Sequence, residues 1–193
     1  MIRVSELFAR FESRRDGAIV IPCQTARQPW FDVSREPDLD VHFRGCMGKG
    51  SSLGLGLAMA RPERPVWVFD GDGSLLMNLG TMATIVAQAP PNYSLFVLEN
   101  GVYAGTGGQP VPARDKLSFE GLARAAGFER TFTADTIQQV DQNLDAWLQW
   151  TGPVFGAFRT EIVPGGNRLR DQLPHLWDCL GRLRSRLAHP PAS

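Results

Sequence analysis

A chain of 193 residues can hold one domain with a proper core and is short for two. It is 43% hydrophobic and 21% charged, and its formal net charge of zero gives no electrostatic reason to expect nucleic acid or an anionic membrane as a partner. No stretch predicts a secretory signal or a membrane span. Three cysteines without CxxC spacing favour free thiols in a reducing cytosol, so we expect a cytoplasmic protein.

Short apolar runs alternate with helical patterns along the chain. Two glycines, Gly54 and Gly56, lie inside one helical pattern, where each costs about 1 kcal/mol relative to alanine, so we expect close packing there. The alternation predicts an α/β fold, a parallel sheet in three layers with helices on both faces. In chain order we predict a helix over 4–14, a strand over 17–23, a helix over 48–60, a strand over 65–69, a helix over 74–88, a strand over 93–100, helices over 118–128 and 137–150, a strand over 152–163 and a helix over 173–187.

Polar residues follow two of these strands. Asp70 and Asp72 end the strand in VWVFDGDGSLLMN, residues 66–78, and Asn100 ends the next strand. The 26 residues between Gly73 and Asn100 suit one helix with two short loops. Because parallel strands joined by right-handed crossovers end at the same edge of a sheet, we expect Asp72 and Asn100 to be neighbours where open α/β sheets bind ligands.

The chemistry expected at this edge is that of a metal-bound diphosphate. One carboxylate, one amide oxygen and a nearby loop carbonyl are hard ligands that suit Mg²⁺, which usually shares its shell with phosphate oxygens. The predicted helix over 74–88 begins directly after residues 70–73, the Asp72 corner. The N-terminal N–H groups of this helix favour an anion.

Three other interpretations of the corner are weaker. An EF-hand loop starting at Asp70 would need glycine and glutamate where Leu75 and Thr81 stand. A dinucleotide fingerprint in GLGLAMA does not follow a strand. A phosphatase of the haloacid dehalogenase type could use Asp70 as nucleophile and Asp72 as acid/base, but it would need a downstream lysine and a later acidic pair. Only Lys116 follows, and no such pair is found.

The clusters GDG at 71–73 and ENG at 99–101 together resemble the metal motif of the thiamine diphosphate-dependent decarboxylase family, usually written GDG…NN. The resemblance runs from about Val20 to Gly166. It implies a single diphosphate-binding (PP-type) domain over 1–193, with thiamine diphosphate and Mg²⁺ as cofactors. It also implies three metal ligands, namely the side chains of Asp72 and Asn100 and the carbonyl of Val102.

The resemblance extends to contacts with the cofactor. GCMGKG, at 45–50, resembles the segment whose methionine supports the bent cofactor, so Met47 would wedge between its two rings and the Gly45 carbonyl would meet the pyrimidine 4′-amino group. The other cofactor-binding candidates are Thr25, Ala26, Arg27, Gly71, Gly73, Ser74 and Tyr103. Tyr103, Thr106 and Gln109 correspond to a loop that lines the active site. His42 and Arg44 could meet an anionic substrate or be purely structural.

The family mechanism needs a glutamate that activates the pyrimidine ring, and this glutamate belongs to a second, pyrimidine-binding domain. Neither end of the chain has room for that domain, so the resemblance implies a separate α subunit in an α₂β₂ or larger assembly. No catalytic residue is assigned in this chain. GDGSLLMNLGTMATI and NGVYAGTGGQP most resemble sulfopyruvate decarboxylase β subunits and phosphonopyruvate decarboxylases, which act on small anionic 2-oxo acids. The alternatives are a non-catalytic cofactor-binding or assembly subunit and a carboligase of acetolactate synthase type.

Overall fold

Strands alternate with helices through most of the chain. The computed structural model describes residues 1–163 and 173–188. In chain order the elements are α1 (Val4–Glu12), β1 (Ile19–Pro22), α2 (Arg27–Phe31), α3 (Gly50–Ala60), β2 (Val66–Gly71), α4 (Asp72–Leu76), α5 (Gly80–Gln88), β3 (Tyr93–Glu99), β4 (Val102–Tyr103), β5 (Gln109–Pro110), α6 (Phe119–Ala126), β6 (Arg130–Ala134), α7 (Ile137–Leu148), β7 (Val154–Arg159) and α8 (Leu176–Ala188).

Five strands form one sheet in the order β1-β2-β3-β7-β6. Every neighbouring pair is parallel, so the carboxyl ends of all five strands lie at the same edge. β4 and β5 form a separate antiparallel pair after β3. Residues 40–43 run parallel to β1 through bridges at Val20 and Cys23, and they bring the following segment to the same carboxyl edge.

Helices cover both faces of the sheet, which confirms the predicted three layers. On one face α1, α2 and α7 pack on a largely aromatic surface, where Phe11 contacts the rings of Trp67, Phe69, Phe96 and Phe158. On the other face α3, α5, α6 and α8 pack on aliphatic side chains of β1, β2 and β3. Within the described residues, no helix is both long enough and apolar enough to cross a membrane.

The predicted helix over 74–88 is wrong in two respects. The helical segment begins at Asp72, and it is interrupted at 77–79, so that α4 and α5 are separate helices. Asn78 lies in this interruption and donates a hydrogen bond to the backbone of Gly48, a contact between distant parts of the chain. Apolar periodicity continues across the break and therefore conceals it.

The other predicted elements lie close to those observed. The strand β6 was not predicted, because its sequence RTFTA has few apolar residues and the threonines on one of its sides are only partly buried. Close packing at Gly54 is confirmed, since a Cβ there would overlap Val68 of β2. It does not extend to Gly56, which has open space around it.

Candidate functional site

Asp72 connects the GDG motif at 71–73 to the ENG motif at 99–101, at the carboxyl edge of the sheet. It is the first residue of α4, directly after β2, and only 3% of it is exposed. Its Oδ1 accepts a hydrogen bond from the N–H of Gly73 at 2.7 Å, and its Oδ2 accepts one from the N–H of Gly101 at 2.7 Å. The carboxylate therefore connects the corner after β2 to the loop after β3, as the parallel topology predicts.

Among the residues that the structure describes, no positive group pairs with the Asp72 carboxylate. Burial raises its pKa, and the N–H groups of Gly101 and Gly73 lower it. Each carboxylate oxygen can accept more than the one hydrogen bond described above. A buried carboxylate normally requires a positive partner, and a bound cation would supply it.

Asn100 and Val102 flank Gly101, whose N–H donates to the Asp72 carboxylate. The side-chain Oδ1 of Asn100 accepts a hydrogen bond from the N–H of Val102 at 2.9 Å. Val102 and Tyr103 pair with Pro110 and Gln109, so that this loop is held as a short β-ribbon. In the described part of the chain no three His, Cys, Asp or Glu residues cluster as a metal site. A metal here would therefore depend on one carboxylate, an amide and backbone carbonyls, a set that suits Mg²⁺.

The loop after Asn100 closes over the start of α4. The ring of Tyr103 lies so close to Gly73 that a Cβ at Gly73 would overlap it. Beyond Tyr103, the Thr106 hydroxyl donates to Gln109 Oε1 at 3.0 Å, and Gln109 Nε2 donates to the Thr106 carbonyl at 2.9 Å. Both of these polar side chains are exposed at the rim of the site.

The segment that carries Met47 reaches the same edge. The backbone at Phe43 exchanges hydrogen bonds of 3.0 Å with Pro22 and Gln24, beside the end of β1. Further on, the N–H of Gly48 donates to Ser74 Oγ at 2.9 Å, which brings the segment against the first turn of α4. Ser74 is buried, Met47 is half-buried and Gly45 is exposed.

The turn after β1 holds the remaining candidates. Residues 24–26 lie close to residues 104–106 of the loop that follows Asn100, which brings the Thr25–Ala26 turn near that loop. Arg27 is only 5% exposed, and its Nη2 donates to the Pro174 carbonyl at 3.1 Å. Burial and then the nearby Arg44 lower the pKa of Arg27. Its guanidinium group is thus partly engaged with the chain preceding α8.

His42 and Arg44 differ sharply in accessibility. His42 is 1% exposed, and burial, followed by the charges of Arg27, Arg182 and Arg15, lowers its pKa to about 4. A neutral, enclosed imidazole is poorly placed to meet an anion from solvent. Its Nε2 lies 4.0 Å from Asp40, inside the fold. Arg44 is exposed and follows directly after the strand-like segment, so it stays accessible at this edge.

Two acidic neighbours of the motifs are held in low-dielectric surroundings. Burial raises the pKa of Asp70 to about 6, although the Ser74 hydroxyl and the Gly71 N–H lower it. Asp70 is fully buried within β2, so its carboxylate does not face solvent, which disfavours a role as nucleophile toward an external phosphate ester. Burial likewise raises the pKa of Glu99 to about 7, against the lowering effect of Arg159.

Asn78 adjoins the candidate site, and the sequence reasoning missed it. Its Nδ2 donates to the Gly48 carbonyl at 2.9 Å, one residue after Met47. A polar amide inside an otherwise apolar helical pattern was the available signal. It could not by itself show which backbone group the amide would reach.

Residues 25–156 match the family model for the thiamine pyrophosphate enzyme, C-terminal TPP binding domain. The chain is 42% identical to the sulfopyruvate decarboxylase β subunit of Methanothermobacter thermautotrophicus over 131 residues, covering 68% of this chain and 66% of that one. It is 36% identical to the phosphonopyruvate decarboxylase of Streptomyces viridochromogenes over 144 residues, covering 74% of this chain and 35% of that one. The chain thus spans about a third to two thirds of the length of these relatives.

Solved structures agree on the fold. The 4-hydroxybenzoylformate decarboxylase of Rhodococcus jostii superimposes with a TM-score of 0.68 at 18% identity, over 84% of this chain and 33% of that chain. The benzoylformate decarboxylase of Polynucleobacter necessarius does so with a TM-score of 0.66 at 20% identity, over 83% and 33%. Because the family model covers more than half of the chain, the protein belongs to the thiamine pyrophosphate enzyme family and contains its C-terminal TPP-binding domain.

Proposed function

We propose that this chain is the diphosphate- and Mg²⁺-binding subunit of a thiamine diphosphate-dependent 2-oxo acid decarboxylase, of the sulfopyruvate or phosphonopyruvate type. The observation that carries the proposal is the buried Asp72 carboxylate, which bridges the GDG and ENG motifs and has no ion-pair partner among the described residues. A cation at this position would balance the charge and would also attract a diphosphate.

Each residue at the edge has a definite part in this proposal. Asp72, the Asn100 side chain and the Val102 carbonyl would bind Mg²⁺, while Gly71, Gly73 and Ser74 would hold the diphosphate, with Thr25, Ala26 and Arg27 as further contacts. Met47 and the Gly45 carbonyl would orient the cofactor rings, and the Tyr103 ring would limit solvent access from the loop. When bound, thiamine diphosphate supplies the nucleophile and the electron sink for the loss of CO₂ from a 2-oxo acid.

The substrate and the partner enter the proposal from the relatives. One relative is named as a β subunit of sulfopyruvate decarboxylase and another as phosphonopyruvate decarboxylase, which supports a small anionic 2-oxo acid as substrate. The β-subunit name also supports a separate α subunit, which would hold the pyrimidine-binding domain and its activating glutamate in an α₂β₂ or larger assembly. The single-domain organisation over 1–193 and a cytosolic location belong to the same proposal, and the free thiols of Cys23, Cys46 and Cys179 are consistent with that location.

The experiment is a pull-down of the tagged chain from its native cell extract, followed by an assay of CO₂ release. We expect a partner of about 100–150 residues, a typical domain size, and Mg²⁺- and thiamine diphosphate-dependent CO₂ release from sulfopyruvate or phosphonopyruvate. Asp72→Ala should abolish the release while leaving the partner bound, because the Mg²⁺ ligand is lost. Asp115→Ala, which alters an exposed carboxylate on the surface, is the matched control.

Two outcomes would contradict the proposal. A recovered complex that binds the cofactor without releasing CO₂ from either substrate would favour a non-catalytic assembly subunit. A complex that joins two 2-oxo acids, with CO₂ release only in that condensation, would favour the carboligase.

A further inference from the structure

Both polar groups of Gly48 are held by side chains from the Asp72 corner. The N–H of Gly48 donates to Ser74 Oγ at 2.9 Å, and the Gly48 carbonyl accepts a hydrogen bond from Asn78 Nδ2 at 2.9 Å. Gly48 is buried and directly follows Met47. The backbone next to Met47 is therefore attached at two points to the segment that begins with Asp72.

The two segments are in direct contact at Gly48. Gly48 has a φ of 73°, which favours glycine, and a Cβ at this position would overlap the Cβ of Asn78. Asn78 is itself held in the interruption between α4 and α5, where its N–H donates to the Leu75 carbonyl at 2.9 Å and its carbonyl accepts from Thr81 at 3.0 Å. Its side chain is thus presented to Gly48 from a turn held by backbone hydrogen bonds on both sides.

We propose that Asn78 is a positioning residue that fixes Met47 relative to the Asp72 corner. This inference rests on the proposed function in so far as Met47 supports the cofactor. Ser74 also holds Gly48 by a hydrogen bond, but Ser74 is expected to contact the diphosphate, whereas Asn78 is not expected to contact the cofactor. Its amide acts through Gly48 and Met47, and its loss would let the Met47 segment move while Asp72 stays in place.

Asn78→Asp is the informative substitution, because aspartate has the same size and cannot donate to a carbonyl when ionised. It would set a carboxylate against the Gly48 carbonyl. Asn92→Asp is the matched control, since Asn92 Nδ2 also donates to backbone carbonyls, those of Ala58 in α3 and of Arg61 and Arg64 on the loop before β2. Any general loss of stability should affect both variants, but only Asn78→Asp should move Met47.

The first readout needs no cofactor. Methionine labelled with ¹³C at its methyl group gives a separate NMR signal for each of the five methionines of the full chain, and Met47→Leu assigns the signal of Met47. We expect Asn78→Asp to shift and sharpen the Met47 signal toward that of a mobile methionine, and Asn92→Asp to leave it unchanged. An unchanged Met47 signal in a folded Asn78→Asp chain would overturn the proposal. Should that variant not fold, Asn78→Ala, which keeps the Cβ, is measured with the same two outcomes.

The second readout is the affinity of the recovered complex for thiamine diphosphate with Mg²⁺. Loss of this partly buried hydrogen bond predicts about tenfold weaker binding for Asn78→Asp in the wild-type background. If Asn78 acts through Met47, the same substitution in a Met47→Ala background should weaken binding less than about twofold, which is the non-additivity of coupled residues. Equal losses in both backgrounds would overturn the inference. A wild-type complex that binds no cofactor would instead contradict the proposed function, and the Met47 signal would still decide the role of Asn78.

Discussion

Asp72 shows how a single side chain can organise the edge of a sheet. Its two oxygens accept N–H groups from its own turn and from the loop after the next strand, so one carboxylate connects two segments that are 29 residues apart. Hydrogen bonds of this kind favour the charged form of the carboxylate, and burial opposes it. The residue is therefore suited to hold a cation at a site that water reaches poorly.

His42 should make the stability of the chain depend on pH. Its pKa is lowered from 6.5 to about 4, so between these values the unfolded chain binds a proton that the folded chain does not. The His42 contribution is present above pH 6.5 and is lost as the pH falls toward 4. From pH 7.5 to pH 5 this amounts to roughly 2 kcal/mol. We expect His42→Gln to lose about that much less stability than the wild type over this interval, measured by urea unfolding.

His175→Gln is the control for that measurement, because His175 is exposed on the chain before α8. It should follow the wild-type pH dependence. A His42→Gln variant with the same pH dependence as the wild type would show that the folded His42 is protonated near its ordinary pKa. The comparison uses the difference between two pH values, so a constant loss of stability in either variant does not affect it.

At the scale of single elements, α3 offers a paired test of packing. Gly54 faces the sheet, and a Cβ there would overlap Val68 and press on Tyr93 and Ile21, whereas Gly56 is exposed with open space. Gly54→Ala should destabilise the chain by about 1–3 kcal/mol through overpacking. Gly56→Ala should stabilise it by about 0.5–1 kcal/mol, because alanine is the better helix former.

The free energy of unfolding of both variants, compared with the wild type, tests whether α3 packs on β2 at Gly54. Equal effects at the two positions would mean that α3 does not pack on β2 as the structure has it. Since both substitutions add one methyl group to the same helix, differences in composition and helix propensity cancel between them.

The buried strands could be predicted because each is a short apolar run that ends at polar residues or glycine, as in β2 and β3. The edge strand β6 could not, since an edge strand that buries only part of its residues lacks such a run. The break between α4 and α5 is a different kind of failure. It coincides with the contact between Asn78 and Gly48, which are 30 residues apart, and no local pattern reports such a contact.

The geometry of the site was predictable to a similar degree. The position of Asp72 beside Asn100 and Gly101 follows from parallel topology alone, and the arrival of Met47 at the same edge follows from family resemblance. The burial of His42 and the engagement of Arg27 with Pro174 were not predictable, because both depend on how residues 40–43 and the chain before α8 close over β1. The roles of these residues in binding stay predictions.

At the scale of the whole molecule, the proposed cofactor site of this chain lacks one group, the activating glutamate. Under the proposed function, the diphosphate and metal contacts, the Met47 segment and the Tyr103 loop would all come from this chain, and the activating glutamate would come from a partner. A site divided in this way should bind the diphosphate through this chain and become active only in the assembly. Metal binding and catalysis can therefore be tested separately.

The most direct test of the central claim is a calorimetric titration of thiamine diphosphate onto the recovered complex, with and without Mg²⁺, for the wild type and Asp72→Asn. Asparagine keeps the size of the side chain and removes the charge that the metal requires. The prediction is binding by the wild type that disappears on chelation of Mg²⁺, and binding by Asp72→Asn at least about tenfold weaker at every Mg²⁺ concentration. Wild-type affinity in Asp72→Asn, or binding that is indifferent to Mg²⁺, would contradict the assignment of this edge as the metal and diphosphate site.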